Sequence, residues 1–295
     1  MDSKFQKLYG VSGLFLVVLA LLNLFTDVGQ LKHIYVFTCI GLFLFFDSLN
    51  YFIADQEPLL AKKISPLQGA MFVLFSGAVL GFISEIYGAA VTGVWQGAFT
   101  LPETFLSVQA INFAFETIFV YGLLIMPGYA IFRILKRVFE AETMLKKEFG
   151  SDYYRYFVHT GLLMMAAPFL LLVVDAGSLT SYLMFIGSLV GLLFVIEYFE
   201  FRKKGQGIIA NISYRERDKL GAVLTLSVLA GFVTSFITQQ IGFWTSVNVP
   251  LSGFRCLGTP VTMIFAWTML IWVVTSGFNL ISDVDLSNLD PEESV

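Results

Sequence analysis

The chain has 295 residues, 57% of them hydrophobic and only 14% charged, with a formal net charge of −4 and a mean hydropathy of +0.77. Soluble domains carry about 25% charged residues, so this composition argues against a water-soluble domain. No basic patch interleaved with aromatics offers a footprint for nucleic acid.

Apolar runs of about 20 residues recur along the chain, the length that crossing a bilayer as a helix demands. The first follows the mildly basic MDSKFQKLYG, continues to about Phe25 and meets no small-residue cleavage site. It reads as an uncleaved first helix rather than a signal peptide. Eight spans are predicted, at 9–28, 33–54, 66–90, 104–132, 157–175, 180–201, 219–241 and 258–281. The fold class is therefore an all-α polytopic membrane protein. Of the 18 Lys and Arg, 16 fall on one side of these spans, and only Lys32 and Arg255 fall on the other. By the positive-inside rule both termini face the cytoplasm, and the chain sits in the cell membrane as a multi-pass protein. Residues 283–295 form an acidic tail expected to be disordered. Residues 133–156 read as helix 4 continuing out of the membrane as an amphipathic segment, with Gly150 as a stop and its basic face on anionic lipid.

An internal repeat runs through the chain at an offset close to 150. Gly41 to Asn50 (GLFLFFDSLN) aligns with Gly191 to Glu200 (GLLFVIEYFE), and Gly81-Phe82 with Gly231-Phe232. Trp95 matches Trp244, Pro102 matches Pro250, and Asp27-Val-Gly29 matches Asp175-Ala-Gly177. Two four-helix halves follow, 1–150 and 151–282. An even number of spans separates the copies, so the halves are parallel, related by an axis along the membrane normal.

Polar groups inside apolar spans mark candidate functional sites, because hydrocarbon penalises them. In span 4, Gln109, Asn112 and Glu116 are spaced three and four apart and share one helix face. Glu116 lies about 18 Å from the start of that span, near mid-membrane. Glu85 sits near the same aqueous side, at the end of span 3. Span 7 carries Ser235, Thr238 and Gln239 near that side too. These residues predict an outward-opening polar pocket between spans 3, 4 and 7. For Gln109, Asn112, Ser235 and Thr238, hydrogen bonding that only joins helices is the alternative. A second polar set, Asp47 and Asn50 with the repeat mates Glu197 and Glu200, lies at the opposite ends of spans 2 and 6. Glu200 has basic neighbours in Arg202, Lys203 and Lys204. Trp95 and Trp244 recur beside the first pocket, as interfacial anchors or as its walls. Asp27 and Asp175 read as helix-end loop residues. His33 and His159 have no partners at ligand spacing, so no metal is expected, and no cofactor either. Cys39 and Cys256 form no disulfide framework and are expected to be small buried hydrophobes.

Two stretches resemble membrane proteins of carotenoid biosynthesis, the bacterioruberin-type carotenoid hydratases and the small lycopene cyclases. Glu85-Ile-Tyr-Gly88-Ala-Ala-Val-Thr92-Gly93-Val-Trp95 is similar to the hydratase pattern E-x-x-G-x-x-T-G followed by an aromatic loop. Gly258-Thr-Pro260 through Ala266-Trp267-Thr-Met269 is similar to its later V-P-x-x-x-x-x-A-W-x-M. Pro102-Glu103-Thr104 stands where the cyclases carry P-x-E-E, without the second acid. The resemblance implies an enzyme acting on an apolar isoprenoid.

Three functions remain open at this level. The first is an acid-catalysed hydratase or cyclase in which Glu116 protonates a C=C bond and Glu85 steadies the carbocation, with Trp95 facing it. Gln109, Asn112, Trp244 and Gln239 would line its substrate site. The second is a proton-coupled carrier that uses carboxyls on both sides of the membrane, Glu85 and Glu116 against Asp47 and Glu197. The third is a non-catalytic membrane subunit. The expected partners are the lipid bilayer and an apolar lipid or isoprenoid; the sequence leaves the oligomeric state open.

Overall fold

The computed structural model describes residues 3–26, 34–54, 66–97, 122–138, 151–174, 176–204, 217–240 and 244–282. Eight α-helices stand among them: α1 (Ser3–Thr26), α2 (Ile34–Ala54), α3 (Pro66–Glu85), α4 (Gly122–Val138), α5 (Ser151–Ala166), α6 (Ser178–Lys204), α7 (Arg217–Gln240) and α8 (Val261–Ser282). Each overlaps one expected span. A π-helical turn, Ile86–Val91, extends α3, and a 3₁₀ segment, Ala167–Leu172, extends α5. Five stretches are long and apolar enough to cross a membrane: Leu74–Val91, Arg155–Leu172, Ser178–Lys203, Gly221–Gln240 and Val261–Phe278. Gln6–Leu19, Phe37–Ile53 and Ile125–Leu135 are shorter apolar helices. The coarse class, a mostly helical membrane protein, is as expected.

Large apolar side chains cover much of the described surface of the bundle. Leu8, Val11 and Phe15 on α1, Phe75 on α3, Leu163 on α5 and Leu183 on α6 all point outward. Such a surface suits lipid tails, and then burial of apolar area no longer drives helices together. Close backbone approach through small residues does so instead, and three contacts show it. On Gly13 of α1 a β-carbon would stand 2.8 Å from the carbonyl oxygen of Gly41 on α2. On Gly161 of α5 it would stand 2.7 Å from that of Gly191 on α6. Gly77 of α3 lies against Gly122 of α4 just as tightly.

The most deeply buried helix is α8, which packs on α4, α6 and α7. Around it Met126, Leu189, Leu193, Leu270, Val273 and Val274 form the middle of the core. At one end of the bundle, two short strands join segments far apart in the chain. In this clasp β1 (Trp95–Gly97) pairs antiparallel with β2 (Trp244–Ser246), in the register Trp95 to Ser246 and Gly97 to Trp244. Val247 N also donates to Val94 O at 3.1 Å. A second pair, β3 (Arg255–Cys256) and β4 (Thr259–Pro260), precedes α8. Positive φ angles at Leu257 and Gly258 make its turn.

Several expectations are corrected here. Span 8 begins as a hairpin, so its helix starts at Val261 rather than 258. Cys256 is exposed on that hairpin, whereas Cys39 is buried as expected. Helix 4 continues past 132, as expected, to Val138, but Arg133 is buried inside α4 rather than a cytoplasmic charge outside the membrane. Gln109, Asn112, Glu116, Pro102, Glu103, Asp27, His33, Asp175, Gly150 and the tail 283–295 lie outside the described residues.

Candidate functional site

Two polar centres occupy opposite ends of the bundle. The first is built where α3 gives way to its π-helical turn. Glu85 closes α3 and is 5% exposed. The turn then spends its backbone groups locally: Thr92 N donates to Tyr87 O at 3.0 Å, and Thr92 Oγ1 donates to the same oxygen at 2.6 Å. In a water-poor setting every such group needs a partner, and π-turns inserted in α-helices recur at functional sites. Val94 N caps the turn on Gly88 O at 2.7 Å. This reversal carries Trp95 back over Gly88, whose missing side chain leaves room for the indole.

Trp95 Nε1 donates to Glu85 Oε2 at 2.9 Å. Its ring meets Trp244 with centroids 5.1 Å apart and Phe185 edge-on at 4.7 Å. Trp244 in turn meets Trp267 of α8 at 4.9 Å. A buried carboxyl thus sits beside a wall of four rings, an arrangement whose negative ring faces attract a cation. Trp95 and Trp244 are buried, not a membrane belt. Gln239 is half-buried at the end of α7, and Ser235 and Thr238 are buried on the same helix. Thr238 Oγ1 donates to Ser235 O, within its own helix. The part of the predicted pocket that span 4 was to supply, Gln109, Asn112 and Glu116, falls outside the described residues.

The second centre gathers residues from α1, α2, α4, α6 and α8. Asp47, Asn50 and Glu197 are wholly buried, Glu200 nearly so, and Arg133 is 9% exposed. Tyr9 donates its hydroxyl proton to Asp47 Oδ2 at 3.1 Å. Ser276 Oγ donates to Glu197 Oε1 at 2.7 Å. Asn50 Nδ2 donates to Ala130 O at 3.0 Å and so ties α2 to α4. Tyr129 stands within electrostatic reach of Arg133, Glu200 and Asp47, with the Arg133 guanidinium carbon 5.8 Å from its ring centre. Glu197 is one helical turn from Glu200. Asp47, Glu200 and Arg133 thus stand around Tyr129, with Asn50 and Glu197 buried at the same end of the bundle.

An apolar layer separates the centres. On α6, Glu197 of the second lies twelve positions after Phe185 of the first, about 18 Å of helix. Leu189, Leu192, Leu193 and Ile196 fill that interval with Val273 and Val274 of α8. Among the described residues no group of three His, Cys, Asp or Glu is placed to hold a metal. His159 is exposed and bonds only its own helix, at Arg155 O.

Three features of the sites escaped sequence reasoning. Arg133 was hidden by being counted among the cytoplasmic charges, although it is buried in α4. Trp267 was visible in the Ala266-Trp267-Thr-Met269 stretch but had no role without the fold. Phe185 had no signal at all in a span rich in phenylalanine and leucine. No protein-family model matches this chain, and neither curated proteins nor solved structures yield a match.

Proposed function

We propose that the chain is a multi-pass membrane enzyme performing acid-initiated chemistry on an apolar isoprenoid at the Glu85–tryptophan centre. The observation that carries this reading is the buried Glu85 held by Trp95 Nε1 at 2.9 Å beside four packed rings. A carboxylic acid adds a proton to one carbon of a C=C bond, leaving the positive charge on the other carbon. Glu116 is assigned that proton. Glu85, kept as an acceptor by the indole N–H, and the faces of Trp95 and Trp244 stabilise the cation, a contribution of about 2 kcal/mol per desolvated ring. Loss of a neighbouring proton then gives a cyclised or shifted alkene, and capture by water gives an alcohol. The resemblance of 85–95 and 258–269 to carotenoid hydratases and cyclases supports the same class.

Extraction tests it. Protein purified from its own membranes is expected to carry a polyene or polyprenyl species in converted form. Glu85→Gln and Glu116→Gln are expected to carry it unconverted, by mass spectrometry. Ligand-free extracts, together with proton flux in liposomes that Asp47→Asn abolishes, would overturn the reading in favour of a proton-coupled carrier. The buried network of Asp47, Arg133, Glu197 and Glu200 is what favours that second reading, and the apolar layer between the centres weighs against it.

The orientation and the halves belong to the same proposal: eight spans, two parallel four-helix repeats and both termini cytoplasmic. The Gly13–Gly41 contact has its counterpart in Gly161–Gly191, and the two clasp strands come from matching positions of the halves. Cys256 is a native reporter of sidedness. A membrane-impermeant maleimide is expected to label it in intact cells and to leave the buried Cys39 untouched until denaturation. Labelling confined to inside-out vesicles would reverse the orientation.

A further inference from the structure

Between Lys219 and Asp283 the chain carries a single charged residue, Arg255. It stands among apolar side chains that the protein leaves open. Residues 251–258, which lie between the clasp and α8, are all exposed. Val247, Leu251, Phe254 and Leu257 are 62% to 70% exposed. Their backbone is nevertheless held. Phe254 N donates to Leu251 O at 2.9 Å, and Val261 N to Phe254 O at 3.0 Å. Arg255 Nε donates to Ser252 O at 2.9 Å, and Thr262 Oγ1 ties the base to Pro250 O at 3.2 Å.

The backbone angles add a second observation. The β3–β4 turn has Leu257 at φ 48° and Gly258 at φ 86°. Positive φ at both central residues is what a type I′ turn requires, and asparagine or aspartate ordinarily precedes the glycine. Leu251 holds φ 55°, in the same region that disfavours bulky residues. Two leucines thus occupy positions where their β-carbons are costly, with their side chains pointing away from the protein. In water, glycine or asparagine would make these turns at less cost. Leucine gains only where the tip meets an apolar medium.

Continuity and charge identify that medium. The exposed apolar row runs on from Leu257 to Val261 and Phe265 of α8, inside a stretch apolar enough to cross a membrane. An apolar face with an embedded arginine suits the boundary of a leaflet, with the side chains among acyl tails and the guanidinium at the headgroups. A two-fold contact with a second copy would instead bring Arg255 towards Arg255, and no carboxylate lies between Lys219 and Asp283 to separate them. We propose that residues 247–257 are a membrane-surface anchor, with Leu251, Phe254 and Leu257 in the leaflet at the clasp end and Arg255 on its lipid phosphates. The anchor joins β2 to α8, so it fixes the clasp at the membrane surface; it does not depend on the chemistry at Glu85.

The exposed Cys256 reports on it, since Cys39 is buried. The full chain is labelled there with bimane in detergent and placed in nanodiscs of phosphatidylcholine and phosphatidylglycerol. Nitroxides are carried on the headgroup, high on the acyl chain or at its end. Quenching is expected to be strongest from the first two, as for a segment seated about 5–10 Å into the boundary, and aqueous iodide is expected to reach the dye weakly. The double variant Leu251→Asn with Leu257→Asn keeps residues that tolerate positive φ. It is expected to lose most of the lipid quenching and gain iodide quenching, while its melting temperature in detergent holds or rises. Arg255→Lys is expected to keep the wild-type pattern, and Arg255→Glu to lift the dye towards water. Iodide quenching equal to that of the unfolded labelled chain, with none from lipid, would overturn the proposal. So would lipid quenching that the double variant leaves unchanged. Shielding from iodide without lipid quenching, lost when each nanodisc holds a single copy, would overturn it in favour of a second copy of the chain.

Discussion

Arg133→Met is expected to destabilise the bundle by about 3–5 kcal/mol, the usual cost of removing one partner from a buried charge network. Arg133 is 9% exposed, and Asp47, Glu197 and Glu200 are buried more deeply still. Methionine keeps most of the arginine's length and apolar stem, so packing changes little and the loss isolates the charge. In detergent this corresponds to a fall in melting temperature of about 6–20 °C for a chain of this size. The double variant Arg133→Met with Glu200→Gln is expected to recover part of that loss, because one carboxylate no longer needs a counter-charge. A fall below about 1 °C would mean that Arg133 reaches water and leaves the network to hold itself.

Gly88→Val carries the second large effect. A β-carbon at position 88 would clash with the six-membered ring of Trp95, so either the indole leaves its place or the π-turn opens. Displacing a buried tryptophan costs about 3–5 kcal/mol, and Glu85 loses its N–H donor in the same step. All four tryptophans, Trp95, Trp244, Trp267 and Trp272, are buried, so the native emission is expected to be blue-shifted, and Gly88→Val is expected to shift it to the red. Gly187→Ala is the control. Nothing lies within 4 Å of a β-carbon there, and alanine in a helix is about 1 kcal/mol better than glycine. If both variants leave emission and melting unchanged, the packing of Trp95 on Gly88 is wrong.

Much of this fold could be read from the chain because hydrocarbon leaves a helix few options. Lengths of apolar runs placed the eight described helices, and polarity inside those runs singled out Asp47 and Glu197, both of which are buried. What periodicity could not show is how helices end. An apolar stretch reads the same as an α-, a π- or a 3₁₀-helix, so the turn after Glu85 was unforeseen, and with it the reversal that lays Trp95 on Gly88. Tryptophan near a span end reads as a belt residue on composition alone, and only the β1–β2 pairing shows why Trp95 and Trp244 face inward. Arg133 illustrates the same limit at a boundary: a cation after an apolar run marks the membrane edge in most helices, but here the helix continues to Val138 and buries it.

The clasp also bears on how the protein is made. Trp95 meets its strand partners about 150 residues later in the chain, and at about 5–20 residues per second a ribosome needs on the order of ten seconds to reach them. Until then β1 has an open edge, and Trp95 lacks Trp244 and, behind it, Trp267. The first half enters the membrane with its aromatic wall unfinished, and the Glu85 centre comes into being only when the last helices arrive. A truncated chain ending before Trp244 would therefore hold the carboxyl but not the chamber around it.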